Sequence, residues 1–165
     1  MASYEDILEQ QGVLVYTNVG ISMMPLLRQN RDLLYITKPE GRLRMWDVPL
    51  FRRYNAPPDR TYVMHRVLWV GKHSYIICGD NQWWPEFGVR DEQIIGVLDT
   101  VKRMSADGQQ VEETIVVRST PEHPEVPFKY RLYVFVWCFF FPIRAALFMV
   151  RGKWWGLKRR LNRNK

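Results

Sequence analysis

The sequence predicts a mainly β domain followed by an aromatic, basic, helical tail. Three observations carry this. Short runs rich in Val, Ile, Leu, Tyr and Trp, each ended by Gly, Pro or Asn, fill Val13 to Arg118. Three prolines then crowd residues 121–128, which reads as an extended linker. Beyond it, Leu132 to Val150 is a 19-residue run with one charge, Arg144. The organisation expected is a β domain over 1–118, a linker over 119–128 and a membrane-associating tail over 129–165.

The elements follow in order. Residues 4–10 suit a short helix. "GVLVYTNV" is β-rich, and Gly20 breaks it just before Ser22. "DLLYITKP" is a second strand, stopped by Pro39. "GRLRMWDVPLFRR" alternates in part, and Pro49 demotes it to an edge or a bulge. "NAPPDR" is a loop. "TYVMHRVLWV" reads as one strong strand, and "HSYIICGD" follows it after Gly71-Lys72. Residues 94–104 and 110–118 flank "SADGQ", whose Asp-Gly is a hairpin signal. The result is a small twisted sheet or partial barrel with a short N-terminal helix and a C-terminal apolar, basic helix.

Charge is unevenly spread. Residues 129–165 hold ten Lys or Arg and no Asp or Glu, whereas the remainder is slightly acidic. Such a tail seeks an anionic surface, and the interleaved aromatics favour the headgroup level of a membrane over nucleic acid, for which no motif is present. Trp137, Phe140, Trp154, Trp155, Arg159 and Arg160 are the expected membrane-associating residues. Residues 132–150 are barely long enough to span a bilayer, and Pro142 kinks any helix there. A span would keep the basic end cytoplasmic and send the domain across, and the acidic N-terminus holds no signal peptide or anchor to do so. A helix lying in the cytoplasmic leaflet is therefore expected, with a span through 132–150 as the alternative. Cys78 and Cys138 form no disulfide scaffold or metal spacing. His73 and His123 stand far apart and no phosphate loop is present, so no metal or cofactor is expected.

One serine, Ser22, sits inside the apolar stretch "VGISMMPLL". A half-buried hydroxyl needs a partner, since leaving it unpaired costs about 1–3 kcal/mol. A turn serine bonded to its own backbone is one answer, and a nucleophile is the other. "MHRV" supplies His65, and "GDN" supplies Asp80. Each is weak alone, because a lone strand histidine is usually structural and Gly-Asp-Asn is usually a turn. Together they offer a nucleophile, a base near its working pH and a carboxylate to orient that base.

The ordered boxes "GISMMPLL", "RDLLYI", "WDVPLF", "MHRVL", "CGDN" and "IIGVL" resemble the type I signal peptidase superfamily in its serine–histidine branch, over about residues 19–98. The resemblance implies Ser22 as nucleophile, His65 as general base where bacterial members carry lysine, and Asp80 as the orienting carboxylate or the holder of its turn. Arg31-Asp32 stands where the family often has Gly-Asp. It also implies a peptide or preprotein bound as an extended strand, in a groove to which Ile21, Met23, Met24 and Leu26 could contribute. Ordinary core packing is the competing explanation for at least two of those four. Two departures stand out. The usual N-terminal anchor is missing, and the further aspartate that usually follows Gly-Asp-Asn is replaced by Glu86 and Asp91, neither of them clearly in place. The function expected is a membrane-associated serine endopeptidase. The alternatives are a cytoplasmic regulatory or self-cleaving peptidase, as in repressor-type cousins that use lysine, and a non-catalytic membrane or binding module.

Overall fold

The computed structural model describes residues 3–147, 149 and 150; Trp154, Trp155, Arg159 and Arg160 lie outside them. Helix α1 (Tyr4–Gln11) starts at Ser3, whose hydroxyl accepts from Asp6 N–H while the Asp6 carboxylate accepts from Ser3 N–H. Gly12, at φ 72°, takes the left-handed turn that ends the helix and sends the chain into β1.

Among the described residues nine strands follow: β1 (Val13–Thr17), β2 (Asp32–Thr37), β3 (Pro49–Arg52), β4 (Tyr62–Met64), β5 (Arg66–Val70), β6 (Tyr75–Cys78), β7 (Glu86–Val89), β8 (Ile94–Met104) and β9 (Val111–Val116). The larger sheet runs β1-β2-β8-β3-β4, and β9 also pairs with β8. All its pairings are antiparallel. Strand β8 organises it. Its first residues pair with β3 and its last with β9, while β2 lies along Val97–Arg103. Bulges at Tyr35/Ile36 and Leu50/Phe51 add local bend. The sheet therefore curls into a half-barrel. The smaller sheet is β5-β6-β7.

Two apolar clusters hold these layers. Leu8, Leu14, Leu34, Ile36, Leu50 and Leu98 lie in the first, and Phe51, Val67, Tyr75, Ile77 and Val97 form most of the second. The fold is mainly β, as expected. "TYVMHRVLWV" departs from the reading as one strand. It is two strands in two different sheets, and His65 is the residue between them.

After β9 come α2 (Phe128–Phe139) and α3 (Phe141–Leu147), bent by 54°. Pro142 sits in the first turn of α3, where its missing N–H disturbs no helical bond. Tyr130 and Val134 are buried in the first apolar cluster, so this part of the chain packs with the β domain and does not stand apart as a separate tail. Among the described residues no single helix is long and apolar enough to cross a membrane, although the bent pair passes by length and composition.

Candidate active site

Ser22 opens a tight turn after β1, closed by Met24 N–H to the Ile21 carbonyl (3.2 Å) and Leu27 N–H to the Met23 carbonyl (3.0 Å). The turn is nailed down by apolar side chains. Met23, Leu26 and Leu27 are buried in the main core, which is why an apolar stretch surrounds a half-exposed serine. Met23 and Leu26 are thus core residues and not groove lining, because their side chains point into the layer beneath the turn. Met24 is exposed and away from the cleft; Ile21 alone of the four lines it. Asp32 fixes the far end of the turn. Its fully buried carboxylate accepts from Arg28 N–H (2.8 Å) and from Arg103 (3.3 Å), and Arg103 also donates to the Leu26 carbonyl (3.0 Å).

The Gly79-Asp80-Asn81 loop grips the other side of the serine turn. Asn81 N–H donates to the Ser22 carbonyl (2.7 Å), and Asn81 Nδ2 donates to the Ile21 carbonyl (3.1 Å). Gly79 permits the approach, since a Cβ there would stand 2.7 Å from the Ser22 carbonyl oxygen. Among the described residues nothing accepts from Ser22 N–H, and no hydrogen bond joins Ser22 Oγ to the imidazole.

His65 is 1% exposed. Its Nδ1 lies 2.9 Å from Glu86 Oε1. Arg53 braces that carboxylate with a fork, Nε to Oε2 at 2.6 Å and Nη2 to Oε1 at 2.5 Å. Burial pushes the Glu86 carboxyl upward, but the hydrogen bonds and charges of His65 and Arg53 overcome it and hold the group at about 2. Glu86 is therefore an anion at neutral pH. An ionised carboxylate only accepts, so Nδ1 carries a proton, and in the neutral ring Nε2 is the nitrogen left with a lone pair. That is the tautomer a general base requires.

Asp80 does not do this work. Its carboxylate takes both arms of Arg66, Nε at 2.8 Å and Nη2 at 2.7 Å, with Tyr133 Oη donating at 3.1 Å. Arg66 is fully buried and also donates to the Trp46 carbonyl and Tyr130 Oη. Burial pulls the Arg66 pKa down, but the Asp80 carboxylate beside it raises it well above the ordinary value. The expectation that Asp80 orients His65 is corrected, because a buried guanidinium one residue past His65 claims that carboxylate. Its other expected role, holding the local turn, is the one the geometry gives it. The Asp80 carbonyl accepts from Trp137 Nε1 (2.9 Å) and Arg144 Nη1 (2.6 Å), and Arg144 lies over the Trp137 ring at 4.0 Å. Trp137, expected at a membrane, spends its indole N–H inside the protein; Phe140 is exposed.

Ser22 and His65 line one cleft of about 400 Å³, with Asn18, Ile21, Met64 and Asn81 among its walls. One end of the cleft belongs to the edge strand β4 and the other to the segment after β1. The sequence offers Glu86 only as one of two stand-ins for the usual aspartate, and it does not point to Arg53 or Arg66. The usable signal for Arg66 was its place in an apolar strand, where an arginine demands a buried acid. A comparison with protein-family models, with curated proteins and with solved structures returns no match.

Proposed function

We propose that the chain is a serine endopeptidase of the signal-peptidase kind, with Ser22 as nucleophile, His65 as general base and Glu86 as the group that orients His65. One observation carries the reading: Ser22 and a histidine whose Nδ1 is fixed on a braced carboxylate line the same cleft. In the reaction Ser22 Oγ attacks the scissile carbonyl and His65 Nε2 takes its proton. Glu86 stabilises the imidazolium that forms, worth more in this enclosed place than in water. Ser22 N–H, which has no acceptor among the described residues, is the backbone donor available to the developing oxyanion. His65 returns the proton to the departing amine, and water then releases the acyl group by the same route.

The substrate is an extended peptide. The outer edge of β4 ends at His65 and offers unpaired backbone groups along the cleft, which suits strand addition. The bound peptide excludes water and brings Oγ and Nε2 into hydrogen-bond reach, about 2.6–3.2 Å. Cleavage of a peptide library by wild type, Ser22→Ala and His65→Ala tests the reading. Both variants should lose at least about a thousandfold in kcat. Indistinguishable cleavage by all three would overturn it.

A further inference from the structure

We propose that the outward face of α2 and α3 rests on an anionic lipid surface, with the two helices lying along the bilayer and not crossing it. This inference is independent of the peptidase chemistry.

The helices are amphipathic in an inverted sense. Apart from the exposed Lys129 and Arg131, their polar groups turn inward: Tyr133 Oη, Trp137 Nε1 and Arg144 all bond Asp80, and Tyr130 Oη meets Arg66. Their outward face is apolar. Phe128, Leu132, Phe135, Phe139, Ile143 and Leu147 recur at helical spacing and are each roughly half to three-quarters exposed. The three phenylalanines alone leave on the order of 400 Å² of apolar surface. That already matches the largest patch on an ordinary monomer, which is commonly functional. Arg144, which an apolar segment would otherwise have to carry into lipid, is spent on the Asp80 and Trp137 carbonyls.

Charge selects the occupant. Residues 129–165 hold ten basic side chains and no acid, so a second copy packed symmetrically on this face would bring like charges together. An anionic headgroup layer complements them. A span is disfavoured by what it would undo: Tyr130 and Val134 would leave the core, and Arg144 would lose the Asp80 carbonyl.

The test is flotation of the full chain with phosphatidylcholine vesicles, with and without phosphatidylserine. Wild type and Ser22→Ala should float equally with the anionic vesicles and poorly with the neutral ones. Phe135→Glu and Phe139→Glu should each weaken binding at least about tenfold while soluble-peptide cleavage continues. Alkaline carbonate should release the bound protein. Equal flotation of wild type and both variants would overturn the proposal. So would carbonate-resistant insertion, or a lipid-free dimer in sedimentation that the same substitutions dissolve.

Discussion

Replacing Glu86 by Gln removes the charge from the partner of His65 while keeping its size. The Glu86 carboxyl is held at about 2, against an ordinary value near 4.3. That depression stabilises the folded state at neutral pH, but the share owed to a charged His65 is absent once the ring is neutral and solvent screens the rest, which leaves about 1–2 kcal/mol. Because the folded value is the depressed one, the contribution is complete above about pH 4.3 and is lost as the pH falls towards 2. Glu86→Gln should therefore lower the melting temperature by roughly 2–8 °C at pH 7 and flatten the acid limb of the stability profile. Its effect on chemistry should be larger. A glutamine amide can turn its NH2 to Nδ1 and strand the imidazole proton on Nε2, the nitrogen that must accept from Ser22. A fall of about 10²–10⁴-fold in kcat is expected, read by peptide cleavage alongside thermal melts. Asp80→Asn is the control. It leaves Arg66 buried without its counter-ion, costing about 3–5 kcal/mol, while the molecules that remain folded keep most of their kcat. A folded Asp80→Asn protein that is inactive beside a fully active Glu86→Gln protein would refute the assignment of roles.

Gly79→Ala pushes a methyl to within 2.7 Å of the Ser22 carbonyl, so kcat should fall at least about tenfold in a protein that still melts cooperatively. Arg144→Ala removes two bonds to backbone carbonyls and the contact with Trp137; a loss of about 2–4 kcal/mol in denaturant unfolding is expected. Burial, with the Asp80 charge nearby, pushes the Cys78 thiol up to about 12, so iodoacetamide at neutral pH should leave Cys78 unmodified until the protein is unfolded, as tryptic mass mapping would record.

The sequence made the outer frame of the fold legible and hid the parts that depend on contact between distant residues. The runs that became β2, β6 and β8 are dense in branched and aromatic residues and bounded by turn residues, so local propensity and tertiary pairing agree. "TYVMHRVLWV" shows no Gly or Pro at its break. The chain divides at His65 because β4 finds β3 and β5 finds β6, a choice between partners that composition does not encode. Ser22 and His65 were visible through their ordered boxes. Glu86 is visible only as one of two stand-ins for the usual aspartate, since it begins a short strand after a tryptophan-rich loop and meets the imidazole only when β7 pairs with β6 beside His65. The "GDN" box allows Asp80 either to orient His65 or to hold its turn, and Arg66, next to His65 in sequence, outbids the imidazole for that carboxylate with a permanent charge and two parallel donors.

Trapping of an acyl-enzyme tests the proposed nucleophile most directly. A short peptide p-nitrophenyl ester should release a burst of about one nitrophenol per protein, and intact-mass and peptide mapping should place one acyl group on Ser22. The burst should vanish in Ser22→Ala and slow by at least about a hundredfold in His65→Ala. Acylation at another residue, or hydrolysis at the wild-type rate without Ser22, would contradict the account.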